Sequence, residues 1–424
     1  MGHQELYHPR GRIERTYLQI FLRFFTLLLM VIKGSGTVVT SIALGQGREW
    51  SCAVLNDGSI RCWGNNENGR LGNGTTATTS TAVSVSAINA ATMIAMGGYC
   101  QFVSSDDRIS CLPYYRSYGH SCALLGDGSI ICWGSNEFGE LGDGSSTDRT
   151  SPVPVTGIST ATSIALGSSH SCVLLTDGSV QCWGNNGNGQ LGDGTNTIRF
   201  APVSVLGITS GRSIALGGVR IHNSGIACEN SCAVLTNGSV KCWGCNSVGQ
   251  LGDGTQTSSS SPVSVAGITN ATSIALGTYH SCALLTGGTV MCWGDDDFGQ
   301  LGDGTTGQSS LTPVKVSGIT SATHIAAGGY HSCAIMTDGS VQCWGWNYYG
   351  QLGDGSTSHG FTPVSVSGIS TAMSIALGGH HSCALLTDGS MRCWGRNDYG
   401  QLGDGGNENS DTPVAVSVIL PAPP

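Results

Sequence analysis

The stretch HSCVLLTDGSVQCWGNNGNGQLGDGT, residues 170–195, decides the fold, because close copies of it recur six more times along the chain. Each copy holds two cysteines ten residues apart: Cys52 and Cys62, Cys122 and Cys132, Cys172 and Cys182, Cys232 and Cys242, Cys282 and Cys292, Cys333 and Cys343, Cys383 and Cys393. Successive first cysteines are separated by 70, 50, 60, 50, 51 and 50 residues, so the unit is 50 residues long, with two insertions and a slip of one. A repeat this short cannot bury its own apolar face and must stack on its neighbours.

Within a unit the pattern is that of strands. Cys52-Ala-Val-Leu-Asn-Asp-Gly-Ser-Ile-Arg-Cys62 predicts a hairpin with the three-residue loop Asn56-Asp57-Gly58, Gly58 taking the left-handed position. Val54 then faces Ile60 and Cys52 faces Cys62, at a non-hydrogen-bonded pair where side chains lie close. A buried-strand signal such as Ser163-Ile-Ala-Leu-Gly167 precedes the hairpin, and Pro-Val-x-Val, as in Pro152–Val155, follows it. That makes about four strands per unit, as in a propeller blade. Gly is too frequent and β-branched residues too common for helices, and no long 3.6-residue period survives. The expected fold class is all-β, a seven-bladed β-propeller over residues 37–419, with a leader at 1–36, insertions near 99–119 and 218–230, and a tail at 420–424.

The chain has 65 Gly in 424 residues, only 11% charged residues and a net charge of -9. Lys occurs only at 33, 241 and 315, and Arg10, Arg12, Arg15, Arg23 and Lys33 concentrate positive charge early, so the repeat body is more acidic than the total. Such a surface repels phosphate backbones, which argues against a nucleic-acid partner. The segment LQIFLRFFTLLLMVI, 18–32, has a charge-free core, Phe24–Ile32, that resembles the apolar region of an export signal. Arg23 interrupts it and it is short for a membrane span; a signal anchor is the rival.

Eighteen cysteines are present. Beyond the seven regular pairs, Cys100 and Cys111 bracket what reads as a decayed copy of the hairpin, and extension of the register that pairs Cys232 with Cys242 brings Cys228 within one position of Cys245. Nine disulfides follow, which points to an oxidising compartment outside the cell or at its surface. Buried thiols in a reducing compartment are the alternative; ten-residue spacing speaks against zinc.

Repeat-wide polar residues read as structural. His120, His170, His280, His331 and His381 precede Ser-Cys, but Trp50 and Asn230 replace them in units one and four; an imidazole here is expected to bridge backbone groups between strands. Asp143, Asp193, Asp253, Asp303, Asp354 and Asp404 recur in Gly-Asp-Gly turns, one carboxylate per loop, which falls short of a calcium loop. Asp295-Asp296-Asp297 reads as a solvated loop. The Trp residues at 63, 133, 183, 243, 293, 344 and 394 are expected as wedges between blades, each with the following Gly giving room beside the ring. Ligand-stacking rings are the rival. Sequons stand at Asn73, Asn237 and Asn270. No nucleophile elbow, zinc-helix motif or phosphate loop is found, so no catalytic residue, cofactor or metal is assigned. The unequal insertions carry Tyr114, Tyr115, Arg116 and Tyr118, and Arg220 and His222. They read either as a partner-binding rim or as neutral loop growth.

The motif in 170–195, with its PV…GI continuation, resembles the regulator-of-chromosome-condensation repeat, and looks closest to a cysteine-paired extracellular branch in microbial proteins. The resemblance covers about residues 37–419 and implies a seven-bladed propeller whose two ends complement each other to close the ring. Function carries over poorly. The founding member's nucleotide exchange and chromatin contact depend on loops that nothing here matches residue by residue. The plant ultraviolet-B photoreceptor in this fold uses extra clustered Trp and Arg, whereas only Trp346 and Trp50 add to the regular ring here. The reading is therefore a non-enzymatic, secreted or surface-displayed scaffold that binds protein or glycan. No small nucleotide is expected, and membrane contact only through an uncleaved leader. Alternatives are an intracellular regulator such as a small-GTPase exchange factor, and a hydrolase or lyase on a propeller scaffold.

Overall fold

The computed structural model describes residues 38–45, 50–100, 117–221 and 226–417. They form seven four-stranded antiparallel sheets, each built from one consecutive stretch of chain: 39–84, 91–154, 161–204, 211–264, 271–315, 322–365 and 372–415, here blades one to seven. A single 3-10 turn, Glu67–Gly69, interrupts the β structure among the described residues. The fold is the seven-bladed β-propeller.

Blade three shows how sequence becomes sheet. Its strands are Ala161–Leu166, His170–Leu175, Val180–Gly184 and Arg199–Ser204. The Thr176-Asp177-Gly178 loop closes on Leu175 N–H···O=C Ser179, 2.9 Å, with Gly178 at φ 79°. A left-handed φ suits Gly alone without strain. The Asp177 carboxylate accepts from the Ser179 N–H and hydroxyl at 2.9 and 2.6 Å, an Asx turn that fixes the loop. Three residues down, Cys172 faces Cys182 with Cα atoms 4.1 Å apart, the close spacing of a non-hydrogen-bonded pair.

The same register recurs in every blade, and a disulfide closes each of the seven regular pairs. Cys52 bonds to Cys62, Cys122 to Cys132, Cys172 to Cys182 and Cys232 to Cys242 in blades one to four. Cys282 bonds to Cys292, Cys333 to Cys343 and Cys383 to Cys393 in blades five to seven. An eighth disulfide joins Cys228 to Cys245, whose Cα atoms are 5.0 Å apart. Asn230 pairs with Gly244, so Cys228 lies one step off register from Cys245. The ninth expected bridge, Cys100 to Cys111, involves Cys111, outside the described residues.

The first strand of every blade contacts the first strand of the next, and that of blade seven returns to blade one. These strands therefore line the axis. The ring closes by blade packing: the sequence reading let the chain ends complement each other, and among the described residues the first and last blades are each built from their own four strands. A core cluster fills each blade junction; that of blades seven and one joins Leu44, Ala53 and Trp63 to Leu385, Met391 and Leu402.

The insertions are partly regular. In blade two the first hairpin lengthens so that Gly97–Cys100 pairs with Ser117–His120, and in blade four Gly217–Ile221 pairs with Ile226–Asn230. Both extend from the end where first strands pass to second strands. The two lengthened first strands approach each other with Cα atoms within 8 Å, although blade three separates them in sequence.

Candidate functional site: the loop face

The repeat-wide polar residues form a lock between blades. At the junction of blades two and three, the carbonyl of Glu140 accepts from Trp183 Nε1 and Ser171 Oγ, both at 2.8 Å, and His120 Nε2 lies 2.9 Å from the same Ser171 Oγ. The serine proton is committed to the carbonyl, so imidazole Nε2 donates to the serine. The carbonyls of Arg70, Gln190, Gln250, Gln300, Gln351 and Gln401 each take a Trp and a Ser of the next blade in the same way. The histidine thus bridges blades, where the sequence reading placed a bridge between strands. Burial holds His120, His331 and His381 down to about 3, neutral at physiological pH.

The departures in two units follow from this lock. Trp50 replaces the histidine in blade one and its Nε1 donates to Ser121 Oγ at 3.2 Å. Room for the larger ring comes from Gly119, where a Cβ would lie 2.4 Å from Trp50. Buried Arg70, standing where other blades have Gln or Glu, packs its guanidinium 4.9 Å from the Trp50 ring. Asn230 replaces the histidine in blade four, and its amide nitrogen has no partner among the described residues. The glycine that clears space for each Trp ring differs from the one expected. Gly134 and Gly184, which follow a Trp, sit against opposing backbone, whereas the rings of Trp183 and Trp243 press on Gly142 and Gly192 of the preceding blade.

One grouping imitates a catalytic triad. His170 lies between Ser231 Oγ, 2.9 Å from Nε2, and Glu229, 3.5 Å from Nδ1. All three are buried, and the Ser231 hydroxyl donates to the Gln190 carbonyl at 2.9 Å. With its proton turned away from the base and no approach for a substrate, the serine is not an activated nucleophile. Glu229 also accepts from Ser169 N–H, Ser169 Oγ, Asn185 and Gln190 at 2.6–2.8 Å. Burial alone would raise its pKa; the adjacent His170 ring and the bonds from Ser169 and Asn185 outweigh burial and hold it at about 2.

Two columns at one end of the strands diverge from unit to unit, together with the loop residues that follow them. One is the residue just before the histidine position, the other the residue just after Trp-Gly. A backbone hydrogen bond of 2.8–3.0 Å joins them in each of blades two to seven: Gly119 with Ser135, Ser169 with Asn185, Glu229 with Cys245, Tyr279 with Asp295, Tyr330 with Trp346 and His380 with Arg396. They lie at the loop end of the second and third strands, on one face of the ring. From blade five onward the columns turn aromatic, joined by Phe298 and Tyr349 from the loops that follow. Tyr330 lies 6.3 Å from Tyr279, 5.6 Å from Phe298 and 5.8 Å from Trp346, ring centre to ring centre. Tyr348, 60% exposed, stacks on Trp346, and His380 stacks on Tyr349. Arg396 sits 5.0 Å over the Tyr349 ring and pairs with Asp398 at 2.7 Å.

The acidic run in blade five is not a solvated loop. Asp295 is 7% exposed and Asp296 fully buried; only Asp297 is exposed. Asp295 Oδ2 accepts from Gln300 at 2.6 Å, and burial together with the charge of Asp297 pushes its pKa up to about 6. Asp296 occupies the place of a structural Asn in the other blades and accepts from Leu301 N–H at 3.0 Å.

The insertion residues singled out from sequence contribute little to this face as described. Tyr118 is buried and pairs with Tyr99, and Arg220 pairs with Ala227 in the lengthened hairpin. Tyr114, Tyr115, Arg116 and His222 lie outside the described residues. The aromatic patch was missed, although its signal was present: seven copies compared column by column diverge at these two positions. The turn aspartates are engaged locally. Asp193 accepts from Thr195 and Asn186 and pairs with Arg199 at 2.8 Å. Among the described residues no group of three or more His, Cys, Asp or Glu is placed to hold a metal ion.

Comparison with known proteins gives one architecture. The "RCC1-like domain" pattern matches residues 218–423, and "Regulator of chromosome condensation (RCC1) repeat" patterns match 39–70, 109–140, 127–174, 161–190 and 177–218. The ultraviolet-B receptor UVR8 of Arabidopsis thaliana is 27% identical over 322 residues, covering 74% of this chain and 67% of that protein. The crystal structure of Kap60 bound to yeast RCC1 (Prp20) contains a chain that superposes with TM-score 0.68 at 19% identity, over 90% of this chain and 85% of that one. The structure of Saccharomyces cerevisiae Prp20p, whose binding to Gsp1p and histones was studied with it, gives 0.67 at 20% identity, over 84% and 85%. Human WBSCR16 gives 0.67 at 21% identity, over 85% and 94%.

Proposed function

Because this chain belongs to the regulator of chromosome condensation (RCC1) repeat family, we propose that it is a non-enzymatic binding scaffold, exported or surface-displayed, that engages a protein partner through its loop face. The observation that carries this reading is the aromatic patch of blades five to seven. The lock residues repeat around the ring, whereas Trp346, Tyr348, Tyr349 and Arg396 break the repeat, with Tyr348, 60% exposed, offering a ring to a partner above the buried Trp346 and Arg396. Exposed aromatic rings and Arg are the residue types that dominate protein interfaces. Prp20p binds the proteins Gsp1p and histones, which favours a protein partner over a glycan. Export is supported by eight disulfides in a chain with no free cysteine among the described residues.

The test places a photo-crosslinking residue at Tyr348, and separately at Asp177 in the hairpin loop of the opposite face, in protein made by the native host. A single protein crosslinked from position 348 and absent from position 177 supports the scaffold reading. Equal labelling at both positions overturns it. Intact mass after thiol blocking tests export. Disulfide-bonded protein lacking its first residues supports it, and eighteen blocked thiols on a full-length chain would move the protein to a reducing compartment.

A further inference from the structure

We infer that the acidic, aromatic end of the patch, where blades five and six meet, recognises a cationic side chain, an arginine or lysine on an extended segment of the partner. This rests on the reading of the loop face as a protein-docking surface. It adds the chemistry of what docks there.

Three observations converge. First, Asp295 is more than nine-tenths buried, yet no Lys, Arg or His side chain forms an ion pair with it among the described residues. Its one side-chain partner is the neutral amide of Gln300. The titratable groups facing it are Asp296 and Asp297 from its own loop and the hydroxyls of Tyr279 and Tyr330 from the neighbouring loops. Each is neutral or negative. A carboxylate held among other acids at the edge of solvent is a poor arrangement for the free protein and a good one for a bound cation.

Second, Tyr279, Phe298 and Tyr330 form an aromatic cluster beside that carboxylate, whose charge acts on both tyrosine hydroxyls. Such rings attract ammonium and guanidinium groups through their quadrupole, and desolvation strengthens the attraction. The cation already present in the patch, Arg396, is engaged elsewhere, with Tyr349 and Asp398.

Third, the position is free to vary. The residue after Trp-Gly is Asn65, Ser135, Asn185, Cys245, Asp295, Trp346 and Arg396 in the seven units. The fold accepts any of these, so a charged residue in a nearly buried place is not a framework requirement. Charge complementarity acts over longer range as well. Of 18 basic and 27 acidic residues, five basic and two acidic lie in 1–37, which leaves the remainder at a net -12. That field draws a basic segment to the propeller.

The test uses the full chain and a Gly-Arg-Gly-Arg-Gly peptide, with its citrulline counterpart as an uncharged isostere and choline as a small-cation control, followed by titration calorimetry at pH 7.5. The arginine peptide is expected to bind at least about tenfold more tightly than the citrulline peptide. Asp295→Asn, which keeps shape and matches Asn65 and Asn185, is expected to weaken it by about tenfold, and Tyr330→Leu by a similar factor. Asp177→Asn, on the opposite face, leaves it unchanged. Binding weakens below pH 6 as Asp295 takes up a proton, and near pH 6 it releases protons, seen as a dependence on buffer ionisation enthalpy.

Equal loss in Asp177→Asn and Asp295→Asn would reduce the effect to net charge and overturn the inference, as would equal binding of the citrulline peptide. Preferential binding of choline would overturn the peptide assignment. Unchanged melting of Asp295→Asn keeps a loss of binding from being a loss of fold. If a crosslinked partner is found at Tyr348 but Asp295→Asn does not alter its affinity, this inference fails and the scaffold reading stands. If the arginine peptide binds through Asp295 and no protein crosslinks at Tyr348, the scaffold reading fails and the cation site stands.

Discussion

Asp296→Asn should stabilise this protein at neutral pH, by an amount that vanishes in mild acid. In blade three the corresponding Asn186 shows what the position does. Its Nδ2 donates to Asp193 Oδ1 at 3.1 Å, to the carbonyls of Thr195 and Thr197 at 3.0 and 3.1 Å, and lies 3.3 Å from Thr195 Oγ1, while its Oδ1 accepts from Leu191 N–H at 3.0 Å. Asn136 repeats the arrangement. In blade five an oxygen replaces the donor. Asp296 Oδ1 keeps the bond from Leu301 N–H and Oδ2 accepts one from Thr305 Oγ1 at 3.2 Å, but the buried, ionised carboxylate has no proton to donate and stands near the Asp303 carboxylate.

Burial first, and then the neighbouring negative charges, push Asp296 from 3.8 to about 6. A rise of ~2 pH units corresponds to ~3 kcal/mol between the two protonation states. Some of that belongs jointly to Asp295 and Asp303, so the penalty for holding Asp296 ionised is about 1–3 kcal/mol. The folded state binds the proton more tightly than the unfolded one, so stability is greatest below pH 3.8 and is lost as pH rises through about 6. At pH 7.5, urea unfolding with disulfides intact should give Asp296→Asn a midpoint higher by about 0.5 M. At pH 4 the protonated carboxyl donates as the amide does, and the two proteins should agree within about 0.5 kcal/mol. Equal stabilisation at both pH values would show that charge is not the cause. A neutral or destabilising effect at pH 7.5 would refute the reasoning.

Glu229→Gln is expected to act with the opposite sign. The folded carboxylate is held at about 2 against 4.5, so its contribution is present above pH 4.5 and lost as pH falls through 2; the variant should lose about 3 kcal/mol at pH 7 and little near pH 2, read from urea titrations at several pH values. Trp183→Phe removes the N–H that reaches the Glu140 carbonyl and opens space in the core of a junction. A loss of about 2 kcal/mol is expected, whereas Tyr348→Ala, on an exposed ring, should stay within about 0.5 kcal/mol in the same assay. If the two substitutions cost the same, the division into lock and patch is wrong.

The framework was legible in the chain because it is written seven times. The hairpin loop, the facing cysteines and the buried Trp depend on local chemistry, such as a left-handed Gly or an Asx turn, and local chemistry survives in sequence. The lock was only half legible. That Trp wedges blades could be read from its size and recurrence, but its acceptor is a backbone carbonyl of the preceding blade, and carbonyls carry no sequence label. The histidine was assigned to the wrong bridge for the same reason: its partner serine, Ser171 for His120, lies 51 residues away. Asp296 was misread because a run of three acids signals solvent on average, while the column in which it sits, Asn in six units, signals burial.

Repetition also explains where function can reside. A column that repeats has been fixed by the demands of blade stacking, which are alike at every junction, and changing it costs stability. Trp50 with Arg70 and Gly119 shows the size of the adjustment needed to replace even one histidine of the lock. The two columns at the loop face pair with each other through one backbone hydrogen bond and, apart from the Glu229 network and the clearance Gly119 gives Trp50, their side chains take no part in the lock. They can therefore drift blade by blade, and here they hold a polar network at Glu229, an aromatic and acidic corner at Asp295, and a stacked ring and guanidinium at Arg396. A propeller of this kind separates stability and recognition by column, so the residues that least resemble their counterparts in the other repeats are the first to test for binding.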